Sequence, residues 1–309
     1  MKIVFMGTPE FAVPSLQAIF KSGYEIAAVV TNQDERQGRG LKMSAPAIKI
    51  ASIEMGLPVI QVSSLKSEEI ASQLKSIAPD LMVVVAFRIL PKEIFAIPRL
   101  GTFNLHASLL PKYRGAAPVN WAIINGEHET GVTTFFLDEK VDTGKIILQR
   151  GTQIGENETA GEVSQRLSLL GADVVVETIK LIQQGNVQIM EQNSSLASKA
   201  PKIRKEDCLI DWSKPALEVH NFIRGFSHEP GAYTFLNGKM LKIFRTHLSS
   251  YQGNPDVGTI NTQSGKLFVS CADGSVEILE LQLEGKKALS AADFLRGARI
   301  ENHFHLGVF

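Results

Sequence analysis

The sequence predicts an α/β protein, a helix-covered parallel sheet followed by a smaller body of short antiparallel strands. Three observations lead there. Short β-branched runs alternate with amphipathic stretches through the first part of the chain, and a polar segment, EQNSSLASKAPKIRKED, then interrupts at 191–207. Beyond it the strand signals are joined by tight turns and no longer by helices. Alternating strands and helices argue for parallel pairing, because each crossover lays a helix on a face of the sheet with one hand. Sheets of this kind bind ligands beyond the carboxyl ends of their strands.

In chain order, residues 2–6, 26–31, 58–61, 81–86 and 101–106 are the first strand candidates, being short, apolar and bounded by Gly, Pro or polar residues. Thr8 followed by Pro9 predicts a helix start in which the hydroxyl caps free backbone donors. Phe11, Ser15, Leu16 and Ile19 supply its stripe, and Ile70, Leu74 and Ile77 mark a second helix over 67–77. Residues 130–137 and 145–149 read as strands around a loop with Asp138 and Asp142, and 158–184 as a long helix. The domain organisation expected is 1–190, a linker at 191–207, and 208–309. In the last part 213–226 reads as a helix, and Asn237-Gly238 joins two strands as a hairpin. A second hairpin at Ala272-Asp273-Gly274-Ser275 and a short helix over 290–296 follow, so a small closed or partly closed barrel is expected.

Composition sets limits and no more. A chain of 309 residues exceeds the common single-domain size, and 44% hydrophobic with 21% charged residues is ordinary for a globular protein. Lys+Arg and Asp+Glu both number 32, so bulk charge announces no nucleic-acid partner and any such contact needs a local patch. Cys208 and Cys271 have no metal-ligand spacing and are expected as reduced thiols. The first apolar run ends at Gly7-Thr8-Pro9, too short for a signal peptide, and no run reaches membrane-spanning length. A cytoplasmic monomer with no membrane association is the expectation.

The candidate site begins at Asn104-Leu105-His106. Alternate residues of a strand share a face, so Asn104 and His106 are expected to project together at the carboxyl end of a strand, where such sheets bind ligands. An amide can donate to a carbonyl oxygen that gains charge, and an imidazole can move a proton near neutral pH. Asp142 could supply the missing carboxylate, although an Asp-Thr-Gly turn is common for conformational reasons alone. Asp138 reads as solvated or turn-forming. Ser108 lies outside any Gly-x-Ser-x-Gly elbow, which argues against a covalent intermediate. The opening Gly7-Thr8-Pro9-Glu10-Phe11-Ala12 keeps only the first glycine of a dinucleotide-binding turn.

Asn104, His106 and Asp142 in that order, with Ser108-Leu109-Leu110-Pro111 after the histidine, resemble the folate-dependent formyltransferase family. Members move a formyl group from 10-formyltetrahydrofolate to an amine. The opening run from Ile3 to Phe11, the run Gln37-Gly38-Arg39-Gly40 and the tail Gly285-Lys286-Lys287-Ala288-Leu289-Ser290 look like the branch acting on initiator methionyl-tRNA. The resemblance implies a Rossmann-like catalytic domain and an OB-like barrel domain that helps hold tRNA. It implies Asn104, His106 and Asp142 as the catalytic trio, Ser108, Leu109, Leu110 and Pro111 as the folate-site lining, and no metal. It also implies that the loop 32–44 closes on the tRNA acceptor end with Arg39 as main contact, and Lys199, Lys202, Arg204 and Lys205 are a weaker basic patch. One departure stands out: relatives carry a Gly-containing, longer segment where this chain reads Ala86-Phe87-Arg88-Ile89-Leu90-Pro91, which leaves Arg88 without a role. The alternative acceptors within the family are an amino sugar nucleotide and glycinamide ribonucleotide.

Overall fold

The computed structural model describes residues 1–37, 42–251, 256–297 and 304–307. They form two compact units that are not a simple cut of the chain. The first takes 1–115, 131–152 and 164–199, and the second 116–130, 153–163 and 200–309.

The first unit is built on strands β1 Lys2–Gly7, β2 Glu25–Asn32, β5 Val59–Val62, β6 Leu81–Val85, β7 Thr102–His106, β9 Glu129–Phe136 and β10 Ile146–Gln153. Their order across the sheet is β10-β9-β7-β6-β1-β2-β5. The pairs β1–β2, β1–β6, β2–β5 and β6–β7 are parallel, whereas β7–β9 is antiparallel. The parallel sheet read from sequence is thus a mixed one. β6 is buried along its whole length, which explains its unbroken Leu-Met-Val-Val-Val run. Helices α1 Val13–Lys21, α2 Ala47–Glu54, α3 Glu68–Ile77, α4 Lys92–Phe95 and α6 Ala160–Gln184 follow the strands, with a small hairpin of β3 Glu35–Gln37 and β4 Lys42–Ser44. Of these, α2, α4 and the hairpin were not legible in the sequence.

Two local details bear on helix starts. Ser67 caps α3 by accepting the Ile70 N–H at 3.3 Å. Thr8 does not cap: Pro9 precedes a 3-10 turn, Glu10–Ala12, whose start has no side-chain cap, and the Thr8 hydroxyl is buried without a partner. With a second proline at position 14 in the first turn of α1, the chain starts that helix by pre-set backbone angles and not by a hydroxyl.

The second unit contains α5 Pro118–Ile124, α7 Ala216–Gly225 and α8 Ala291–Gly297 with strands β12 Ala232–Leu236, β13 Lys239–Ser249, β14 Ile260–Gln263, β15 Lys266–Ser270, β16 Ser275–Leu283 and β17 Leu289–Ser290. The strands form one sheet in the order β12-β13-β16-β15-β14, with β17 on β16, and every pairing in it is antiparallel. The predicted turn is present, Asn237 and Gly238 both having positive φ, 50° and 71°. The two-residue strands β8 Arg114–Gly115 and β11 Lys199–Ala200 pair with each other. The core holds both cysteines, and burial pushes the Cys208 thiol up to about 11 and the Cys271 thiol up to about 12.

Arg245 of β13 donates to Glu162 at 2.6 Å, and that bond, with the Thr159 N–H, holds the Glu162 carboxyl down at about 2 against an ordinary 4.5. A depressed carboxyl stabilises the fold above its unfolded value and loses that contribution as pH falls through its folded one. Arg245→Met is therefore expected to unfold at lower urea than wild type at neutral pH, with the gap closing as pH drops from about 4.5 toward about 2. A gap independent of pH would mean that the pair does not carry it.

Candidate active site

Asn104 and His106 stand on one face at the carboxyl end of β7, between β6 and β9, opposite Val84 and Phe135 for Asn104 and Thr133 for His106. Phe103 and Leu105 take the other face and are 0% and 2% exposed, which anchors the strand. Helix α6 comes so close there that a Cβ added to Gly171 would meet Leu105 Cδ2 at 2.6 Å.

The imidazole of His106 is 6% exposed and its Nε2 lies 2.8 Å from the Tyr113 carbonyl. A carbonyl only accepts, so Nε2 carries the hydrogen and Nδ1 is the nitrogen that faces Asp142. Nδ1 lies 3.9 Å from Asp142 Oδ2, within reach of ion pairing but beyond hydrogen-bond length. That same oxygen accepts the Gly115 N–H at 2.8 Å. Asp142 has a positive φ of 55°, so its loop is held in a conformation that a side chain disfavours. The Asn104 amide forms no hydrogen bond among the described residues, and it is only partly buried. A donor left open beside an imidazole suits a developing oxyanion, and the carboxylate that faces the imidazole favours its positive form.

The loop after β7 is tied from below. Ser108 donates to the Lys112 carbonyl at 2.6 Å and is 1% exposed, so its hydroxyl is spent on the turn. Thr133 donates to the Ser108 carbonyl at 2.6 Å and accepts the Leu110 N–H at 3.1 Å, and Gln149 donates to the Leu110 carbonyl at 2.8 Å. Leu110 packs with Phe135 and Ile146, while Leu109 and Pro111 are partly exposed. Asp138 forms a turn, accepting from Lys140 N at 2.9 Å and from Thr143 Oγ1 at 2.8 Å, as the sequence suggested.

A cavity of about 620 Å³ opens in the first unit between the segments 63–66 and 88–92, with Phe95 and Glu139 on its wall. Arg88, unassigned in the sequence, lines it and donates to the Ser63 carbonyl at 2.6 Å. Lys92 and Glu139, both on its wall, pair at 2.5 Å. Glu139 belongs to the loop that carries Asp142, whereas the trio itself is not on the wall. Arg39 lies outside the described residues. Among the described residues no group of three or more His, Cys, Asp or Glu could hold a metal ion, and no helix is long and apolar enough to cross a membrane.

Sequence reasoning missed Tyr113, Gln149, Gln192 and Ser198. Each acts through a hydrogen bond with main chain: the Tyr113 carbonyl with His106, Gln149 on the Leu110 carbonyl, Gln192 on the Asp142 carbonyl and the Ser198 hydroxyl on the Tyr113 N–H, and such bonds leave no pattern in composition or spacing.

Comparison with known proteins adds a family signal over both parts of the chain. The profile described as formyl transferase matches residues 1–179, and that described as formyl transferase, C-terminal domain, matches 202–299. The chain is 50% identical to a methionyl-tRNA formyltransferase of Chlorobium chlorochromatii over 97% of its length and 98% of that protein's. It is 45% identical to one of Geobacter metallireducens over 99% of both. Among solved structures, an N-formyltransferase from Helicobacter canadensis in complex with folinic acid and dTDP-3-aminofucose is 26% identical, with a TM-score of 0.69 over 90% of this chain and 98% of that one.

Proposed function

This chain belongs to the formyl transferase family, and from that membership we propose that it transfers the formyl group of 10-formyltetrahydrofolate to the amino group of initiator methionyl-tRNA. The product is N-formylmethionyl-tRNA for translation initiation, which makes the cytoplasm its place of work. The observation that carries the acceptor is the full-length likeness to methionyl-tRNA formyltransferases at 45–50% identity, second unit included. The chemistry rests on the open Asn104 amide beside the facing His106–Asp142 pair.

The neutral amine attacks the formyl carbon, forming the new N–C bond and pushing the carbonyl electrons onto oxygen. Asn104 donates to that oxyanion, joined by His106 when charged. Asp142 faces His106 Nδ1, keeps the ring oriented and supports its positive form, and the pair takes the proton that the attacking nitrogen loses. Collapse of the oxyanion breaks the bond to folate nitrogen, and the pair returns the proton it took to that nitrogen as it leaves. Holding both reactants in line supplies much of the rate.

Ser108, Leu109, Leu110 and Pro111 form part of the folate lining in this reading, Ser108 by shaping the turn. The cavity with Arg88 has the volume and mixed walls of a small-molecule site and suits part of the donor. Arg39 and the loop 32–44 engage the tRNA acceptor end, where an arginine fork suits phosphate and stacked bases. In this reading 1–190 carry the catalytic part, 191–207 the connection and 208–309 the tRNA-holding part, with 116–130 and 153–163 grouping with the second compact unit and 191–199 with the first.

An amino sugar nucleotide is the second acceptor to weigh, since the Helicobacter canadensis structure holds one. Labelled 10-formyltetrahydrofolate offered charged initiator tRNA, an amino sugar nucleotide and glycinamide ribonucleotide in parallel separates them. Label on the tRNA alone is expected; label on either nucleotide and none on tRNA would overturn the assignment.

A further inference from the structure

We propose that Gln192, in the segment that reads as linker, is a positioning residue that holds Asp142 against His106; this rests on the trio proposed above. Its Nε2 donates to the Asp142 carbonyl at 3.0 Å and to the Gly144 carbonyl at 2.8 Å. Its Oε1 accepts Arg114 Nε at 3.1 Å and Nη2 at 2.7 Å. Both hydrogens and both lone pairs of the amide are used, and only one orientation satisfies carbonyls on one side and a guanidinium on the other. The amide therefore joins the loop 142–144 to the segment 114–115. Those are the two segments whose contact, Gly115 N–H to Asp142 Oδ2 at 2.8 Å, delivers the carboxylate.

The surrounding strap points the same way. Met190 and Ile146 exchange backbone bonds of 2.9 Å in each direction just beyond the Asp142 loop. Ser198 accepts the Tyr113 N–H on its hydroxyl at 2.9 Å and the Arg114 N–H on its carbonyl at 2.9 Å. Tyr113 in turn presents the carbonyl that takes His106 Nε2. Each acceptor that the imidazole faces is thus secured from the segment 190–198. Asp142, whose φ of 55° a short polar side chain tolerates, is thereby also tied from outside its own loop.

The test is steady-state transfer by full-length wild type, Gln192→Ala, Gln192→Glu and Asp142→Asn, with kcat, both KM values, the pH profile of kcat and thermal unfolding recorded for each. Gln192→Ala is expected to lower kcat by about 10- to 100-fold with both KM values little changed, and to displace the pH profile, since misplacement of a reacting group acts on turnover. Gln192→Glu keeps the length and the pairing with Arg114 but loses both donors, and is expected to behave likewise; it serves if the alanine variant does not fold. Wild-type kcat and pH profile in a folded Gln192 variant, beside an inactive Asp142→Asn, would overturn the positioning role alone. Wild-type turnover in Asp142→Asn would overturn the trio and this inference with it.

Discussion

Alanine at Asn104, His106 or Asp142 is expected to lower turnover by orders of magnitude while the protein stays folded. Loss of one oxyanion donor costs about 10²–10³ in kcat, the size expected for Asn104→Ala. Loss of a proton-transfer group costs about 10²–10⁴, the size expected for His106→Ala. Asp142→Ala falls between, because it removes the orienting charge and leaves the imidazole in place. Residues that act as a unit are not additive, so a double variant should be little worse than the poorer single one. Folding tolerates the losses unequally. The Asn104 amide makes no bond to lose among the described residues, whereas His106→Ala strips the Tyr113 carbonyl of its donor and costs about 1–3 kcal/mol. Kinetics and urea unfolding on the same preparations check both halves, and near-normal turnover in all three would defeat the assignment.

Gly144→Ala strikes the same loop through sterics alone. A Cβ there would lie 1.7 Å from the Phe136 carbonyl oxygen and 3.2 Å from Phe135 Cδ2, and neither neighbour is the free end of a flexible chain. Phe136 donates its N–H to the Lys145 carbonyl at 3.0 Å, so the strand cannot retreat without losing that tie. Forced overpacking costs about 1–3 kcal/mol, occasionally more. Turnover should fall as well, since Asp142 lies two residues away. Gly274→Ala is the control, its Cβ meeting only Ala216 at an ordinary 3.9 Å. Equal urea midpoints for the two variants would contradict the expected clash.

The strands and the common face of Asn104 and His106 were legible because their physics is local, whereas Asp142 is distant in sequence and was a candidate chiefly through the family resemblance. β6 reads as a buried strand from its own apolar run, and the two-residue spacing of Asn104 and His106 fixes their common face. The antiparallel β7–β9 pair was not legible, since strand direction depends on partners distant in sequence. Thr8 misled because its hydroxyl has the right chemistry for a cap, while Pro9 and Pro14 set the geometry by other means. The segment 191–207 read as a connection because polarity marks exposure, yet Gln192 and Ser198 spend that polarity on backbone groups of the candidate site. Hydrogen bonds to main chain leave no periodicity to find.

The central claim is that Asn104, His106 and Asp142 converge on one formyl carbonyl. A crystal structure with a stable 10-formyl folate analogue bound tests it most directly. The formyl oxygen is predicted within about 3.2 Å of Asn104 Nδ2, with the imidazole and carboxylate facing the same carbon. A fully ordered analogue whose formyl group lies elsewhere, with the Asn104 amide still open, would contradict the account.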